Sequence, residues 1–440
     1  MTWFLGQRCR ISPVLRYLLG AGAGLGLSTH ILFYSFILFD GFRRGPVIFV
    51  HLVLLAGGFF LYRSSAPSRF RPTSFHAAKK EIFLYSILGL ALIPIWITAR
   101  YYPLGGWDAW QVWNFKARFL FLAGNEWERL FRPMLWRSSP HYPLLLPLTN
   151  VWGWSLLKEP LPRVCQATAF LFTFLTAGTL LAGVYHFTKH VVSALAPLLL
   201  LTLPFFGLLA VSQYSDIVLS FYLLAAVVCM MLTFTPPRDL RENPRIDARY
   251  ALLAGIFIGF LSFTKPEGML AALLLIGIMF VAELWPRRQQ RLGTPGLGFF
   301  LAGVVLAGLP SVIFVLAYSP GNQTFVNGFL SDAKPVSCYR LKMILAFLLV
   351  ELKSEKWNGL WLLWAGGIIV GIKKCFQRPF VWIPAFLFLY LGGVISYYWL
   401  NTYFDIGWWL QSSLNRILFT LLPVVALWLF VALWTEKKTP

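Results

Sequence analysis

Apolar stretches long enough to cross a bilayer recur along this sequence, near residues 15–39, 45–62, 82–99, 164–186, 191–211, 217–234, 250–264, 269–285, 297–318, 357–372, 379–400 and 417–434. A helix needs about 20 apolar residues to cover ~30 Å of hydrocarbon. Twelve such stretches predict an all-α polytopic membrane protein forming one integral membrane domain over residues 1–440. Composition agrees: 58% of residues are hydrophobic and 12% are charged, against about 25% charged in ordinary soluble domains. The five cysteines, Cys9, Cys165, Cys229, Cys338 and Cys375, have no CxxC or other ligand spacing. They predict neither a disulfide framework nor a zinc ribbon. The formal charge of +21 sits in short loops between apolar segments, which favours lipid head groups and lipid-linked anions over nucleic acid.

Basic clusters set the orientation. With a cytoplasmic N-terminus, Arg8/Arg10/Arg16, Arg63/Arg69/Arg71/Lys79/Lys80, Arg238/Arg241/Arg245/Arg249, Arg287/Arg288/Arg291, Lys373/Lys374/Arg378 and Lys437/Lys438 all fall inside, as the positive-inside rule requires. Arg43 and Arg44 fall outside in a short turn and depart from the rule. The long loop from Arg100 to Arg163 is also outside and basic, with Lys116, Arg118, Arg129, Arg132, Arg137 and Lys158. Such a loop fits either solvated contact with anionic head groups or a site for a phosphorylated, lipid-attached substrate. No cleavage motif follows the first span, which reads as a retained anchor. The run LKMILAFLLVEL after Asp332 is too short to cross and reads as a helix lying at the interface.

Within the outer loop, Gly105-Gly106 break the helix and Asp108 follows between Trp107 and Trp110. A carboxylate at the membrane face suits a general base, whereas Asp at the start of AWQVWNFKARFLF is also ordinary N-cap chemistry; local spacing does not separate the two. Trp107, Trp110 and Trp113 suit an interfacial aromatic belt or a sugar-stacking surface. Lys116 and Arg118 project different ways from one helix, so at most one faces the same pocket as Asp108. The segment YPLLLPLTNVWGWSLL reads as a re-entrant or juxtamembrane helix that starts and ends outside. At the same face the sequence places Tyr214-Ser215-Asp216 after the fifth span, Lys265-Pro266-Glu267-Gly268 after the seventh, and Asn415-Arg416 before the last. Ionisable residues at such depths face protein-lined cavities and mark function; a salt bridge of Lys265 with Glu267 or Asp216 is the structural alternative.

Taken in order, GGWDAW, PHYPLLLP, YSD, TKPEG and NRILFTLLP resemble the glycosyltransferase-C superfamily, specifically the polyprenyl-phosphate-sugar-dependent enzymes of the protein O-mannosyltransferase and aminoarabinose transferase type. The resemblance implies a glycosyltransferase-C-like fold with juxtamembrane helices in the catalytic loop 100–163. It also implies a bacterial inner (plasma) membrane location, a polyprenyl-phosphate sugar donor, and transfer to an acceptor on the extracytoplasmic face. Carried over, Asp108 is the base, and Lys265 and Arg416 hold the donor phosphate, with Lys116 and Arg118 as further phosphate candidates. Asp216, Glu267, Tyr214, His141 and Tyr142 are pocket candidates. His141-Tyr142 stand where the family has a His-Pro-Pro-Leu-like motif, and two spans precede that of Asp108 where the family has none.

A sugar leaving from phosphate needs a base for the attacking hydroxyl and positive charge for the departing anion, but no strong acid. One carboxylate with several cations meets that need, and a single displacement would invert the sugar. Asp108, Asp216 and Glu267 are oxygen donors of the kind a divalent cation takes, yet no metal-binding loop is legible, so no metal residues are assigned. The rival is a secondary transporter or lipid flippase; such proteins show related halves and midplane charges on broken helices, whereas these halves are not visibly similar and the charges gather at one face.

Overall fold

A computed structural model describes residues 11–64, 75–234, 244–284, 293–331, 336–377 and 380–434, and among these residues there is no strand. Of the basic clusters, Arg8, Arg10, Arg69, Arg71, Arg238, Arg241, Arg287, Arg288, Arg291, Arg378, Lys437 and Lys438 lie outside the described residues, as does Cys9. The helices are α1 (Pro13–Phe39), α2 (Arg44–Ser64), α3 (Phe75–Tyr101), α4 (Asn114–Leu122), α5 (Leu145–Leu157), α6 (Pro162–Thr188), α7 (Leu195–Leu201), α8 (Pro204–Val211), α9 (Ser215–Phe234) and α10 (Pro244–Ser262). They continue with α11 (Pro266–Leu284), α12 (Gly293–Ile313), α13 (Gln323–Val326), α14 (Cys338–Leu352), α15 (Leu360–Val370), α16 (Ile372–Cys375), α17 (Trp382–Leu400) and α18 (Ile406–Trp434).

Eight of these, in α1, α3, α6, α9, α11, α12, α17 and α18, are long and apolar enough to cross a membrane, and the chain is an integral membrane protein. The apolar path 191–211 is broken into two parts bent by 74°, and α2, α10 and α15 are shorter apolar helices. Proline opens α1, α6 and α8, where its missing N–H costs nothing. Ser12 adds a side-chain cap to the Leu15 amide.

The core is built around α9, whose apolar window is 94% buried, whereas that of α3 is 22% buried and faces outward. Small residues let α10 and α12 approach closely: a Cβ on Gly255 would lie 2.1 Å from the Phe300 carbonyl oxygen, and one on Gly303 would lie 2.3 Å from that of Leu252. With no hydrophobic drive between helices in lipid, such backbone proximity supplies the packing. His30 on α1 ties into this pair through Nε2 and the Ala307 carbonyl, 2.8 Å apart.

One sequence expectation changes here. The run expected to lie at the interface, 341–352, falls in α14, which starts against the end of α17, where Arg340 donates to the carbonyls of Tyr398, Asn401 and Phe404. It then packs along α17 and α18. After a break at 353–359 the path continues as α15 and α16 beside α18, ending where Lys374 donates to the Leu433 carbonyl. The two segments therefore follow α18 as one broken path, because the run of a dozen apolar residues is prolonged by α15. The break meets the bend of α7 and α8: Asn358 donates to the Thr202 carbonyl, and Trp357 packs on Phe205. The turn between α1 and α2 carries the arginines that depart from the charge rule. Arg44 there donates to the Leu156 carbonyl at 3.4 Å, so this end of the hairpin stands beside the 100–163 loop.

Candidate functional site

At one end of the bundle the starts of α9 and α11 meet the loop that precedes α4. Gly105 sits at φ +70°, a conformation that only glycine adopts without strain, and donation from Gly106 N–H to the Ser212 carbonyl closes the loop onto the α8–α9 turn. A Cβ on Gly106 would fall 2.4 Å from the Tyr214 hydroxyl. Gly105 thus makes the turn, while Gly106 allows the close approach that presents Asp108 to α9 and α18. The Asp108 amide in turn donates to the Tyr214 hydroxyl at 3.3 Å.

The side chain of Asp108 makes no capping bond, although the residue begins a helical turn at Ala109–Trp113. It accepts instead from Arg416 Nη1 at 2.5 Å. The capping alternative is thereby excluded in this structure. Arg416 places Nε and Nη2 on one oxygen of Asp216 at 3.0 and 2.7 Å, and its guanidinium lies over the Tyr214 ring at 4.7 Å. The other oxygen of Asp216 accepts from Lys265 Nζ at 3.1 Å, and Lys265 also reaches Glu267 at 3.3 Å. Five residues from four chain segments form one network in which three carboxylates share two cations.

Burial is graded across the network. The Asp216 side chain is 1% exposed and that of Lys265 6%, whereas Arg416, Glu267 and Asp108 rise to 17%, 22% and 29%. A buried carboxylate persists in charged form only with its partners in place, so Asp216 is the fixed centre and Asp108 the open edge. Asp108 Oδ1 has no partner among the described residues. Burial opposes the charge on Lys265, but Asp216 and Glu267 outweigh it and hold the ammonium above the usual lysine range. Asp216 and Glu267 also lie in the first turns of α9 and α11, where negative charge is favoured by the helix dipole.

The structure also corrects one assignment. Lys116 is fully buried, and its amine donates to the carbonyls of Ser139 at 2.6 Å and Tyr142 at 3.1 Å. An incoming phosphate cannot reach it. Burial pushes its pKa well below the usual lysine value, and two backbone carbonyls each receive one of its hydrogens. Lys116 is a clamp on the loop that carries His141 and Tyr142. His141 is lowered to about 4 by burial and by Lys116, so it is uncharged at neutral pH. Tyr142 is raised to about 12 by burial and the neighbouring Glu267, which keeps its hydroxyl protonated. Arg118 is exposed on the other side of α4. Lys116 and Arg118 do project differently, and neither faces Asp108.

A chain of amides went unread in the sequence. Asn150 on α5 donates to Asn114 at 3.1 Å, Asn114 donates to Gln213 at 2.7 Å, and Gln213 donates to the carbonyls of Tyr102 and Pro103. Gln213 is 2% exposed and holds φ +59°, a conformation that costs a non-glycine residue about 1–3 kcal/mol. The chain fixes the relative position of the Asp108 loop and the Asp216 turn. The available signal was an asparagine inside the apolar run LPLTNVW, since a polar residue at that depth has a partner.

Trp107 and Trp110 stand exposed beside Asp108, edge to face at 4.4 Å, while Trp113 is buried against Tyr142. Of the three, only Trp107 and Trp110 present surface to the outside. Among the described residues no group of three or more His, Cys, Asp or Glu side chains is arranged to hold a metal. Comparison with known protein families, curated proteins and solved structures gives no match.

Proposed function

We propose that this chain is a membrane glycosyltransferase of glycosyltransferase-C-like design with twelve crossings. It would transfer a sugar from a polyprenyl-phosphate donor to an acceptor on the extracytoplasmic face. The observation that carries the reading is the bridge Asp108–Arg416–Asp216–Lys265, with Asp108 open at its edge.

In the proposed step the acceptor oxygen bonds to the anomeric carbon as the bond from that carbon to the phosphate oxygen breaks. The hydroxyl proton passes to Asp108 Oδ1, and the electron pair leaves with the phosphate. Protonation removes the negative charge that Asp108 presents to Arg416 just as the phosphate gains one. Arg416 thus exchanges one anion for another, held in register by Asp216 and assisted by Lys265. Charge placed in advance where the transition state needs it is the usual large contributor to such catalysis. The exposed Trp107–Trp110 pair offers the sugar an apolar face.

A second reading, a transporter or lipid flippase, draws on the bend between α7 and α8 meeting the break between α14 and α15, since broken helices line transport sites. Among the described residues that junction holds one ion pair, Glu351 with Lys356 at 3.2 Å, whereas the larger network lies at the helix ends.

Asp108→Asn decides between them. Donor binding and turnover are measured on the same purified sample; binding should persist while transfer falls by about 10²–10⁴-fold, the usual worth of a general base. Near-normal transfer would remove Asp108 from the chemistry, and absence of any transfer by the unaltered protein alongside substrate movement across vesicles would favour the transporter.

A further inference from the structure

The face of α4 turned away from Lys116 lines a separate groove. Phe115, Arg118, Phe119 and Leu122 form one wall, at helical spacing, and Ala123, Glu126, Arg129, Arg132, Met134 and Leu135 form the other. The groove encloses about 580 Å³. Its far wall is rigid, because Trp127, Leu130 and Phe131 beneath it are buried and Trp127 and Phe131 pack on Tyr318.

Charge and apolar surface are divided in a particular way. Arg129 is ion-paired with Glu126, which cancels the groove's one carboxylate. Arg118 and Arg132 are exposed and have no ion pair or hydrogen-bond partner among the described residues. Two unpaired guanidiniums line an apolar trough with Met134, which is 88% exposed, and Trp136, two residues further along the chain, is 60% exposed. Exposed Trp beside cationic residues is the composition of a membrane interface. A guanidinium binds phosphate oxygens through a planar pair of donors, and the apolar walls require a hydrocarbon chain.

We propose that this groove binds one anionic phospholipid of the surrounding membrane, its phosphodiester between Arg118 and Arg132 and its first chain carbons along Phe115, Phe119, Leu122 and Leu135. A lipid with a choline head group would bring a cation toward two arginines and is disfavoured. Free phosphate would leave the apolar walls uncovered. The site lies across α4 from Lys116 and does not depend on the transferase reading.

The test uses the full chain reconstituted in vesicles of equal parts phosphatidylcholine and phosphatidylglycerol, extracted, and weighed intact by native mass spectrometry. One phosphatidylglycerol should be retained and phosphatidylcholine should not. The double variant Arg118→Gln/Arg132→Gln should lose retention by roughly tenfold or more, because two basic contacts with an anionic head group are removed together. Asp108→Asn should retain the lipid unchanged, so failure of the transferase reading would leave this result standing. Equal retention of both lipids, retention unaltered in the double variant, or displacement by inorganic phosphate or by a polyprenyl phosphate would each overturn the proposal. Because both arginines are exposed, the double variant should melt with the unaltered protein, which confirms that lost lipid reflects a lost site.

Discussion

Lys116 and Arg118 stand two residues apart on α4, and their surroundings differ in every respect. Lys116 is fully enclosed, gives hydrogens to two backbone carbonyls and lies near the rings of both Trp113 and Tyr142. Arg118 is exposed beside an apolar groove with no ion pair or hydrogen-bond partner among the described residues. One helix thus supports two kinds of electrostatics. Toward the bundle, charge is kept where an opposite charge meets it, as at Asp216, Lys265 and Arg416, and burial works against it at Lys116. Toward the groove, solvent carries the charge and leaves it free for a ligand. A basic residue's role in this loop follows from the face it occupies, not from its charge.

The contrast is most exposed to test at Asp216. Asp216→Asn would leave Arg416 and Lys265 short of one buried counter-charge, and thermal or denaturant unfolding in detergent should show a loss of about 3–5 kcal/mol. A variant as stable as the unaltered protein would mean that the network is not what joins α9, α11 and α18. Replacing Lys265 by Met keeps its length and removes its charge; donor affinity, measured by titration, should weaken by about 1.5–3 kcal/mol. Unchanged affinity would take Lys265 out of phosphate recognition.

Lys116→Met should cost about 1–3 kcal/mol, because two buried carbonyls lose their donor. It should also change the pH dependence. The folded pKa of Lys116 lies below its unfolded value, so between the two the unfolded chain binds more protons and stability rises with pH. That contribution is complete above the unfolded lysine pKa of about 10.4 and falls as pH drops toward the depressed folded value. Stability followed from neutral pH upward should therefore climb, and Lys116→Met should flatten the climb. An identical slope in both proteins would show that Lys116 is charged when folded. The smallest effect belongs to Arg118→Gln, within about 0.5 kcal/mol in stability, as for most exposed positions; a larger loss would mean that Arg118 is part of the bundle's packing.

The sequence alone determined the helical membrane class, since long apolar runs leave no other way to satisfy the backbone in hydrocarbon. It also placed Asp108, Asp216, Lys265, Glu267 and Arg416 at the ends of apolar runs, where charge has a reason to be. Tertiary structure decided what those charges do. Whether Asp108 caps a helix or meets a guanidinium depends on Arg416, 308 positions away, and no local spacing encodes that distance. Lys116 was misread for the same reason, because charge is legible in one dimension and burial is not. The Asn150–Asn114–Gln213 chain joins three segments that share no motif, so its members stay individually ordinary until folding brings their amides to hydrogen-bonding range. The groove beside Arg118 is likewise a property of two walls, of which the sequence shows the stripe on α4 but not the turns that face it.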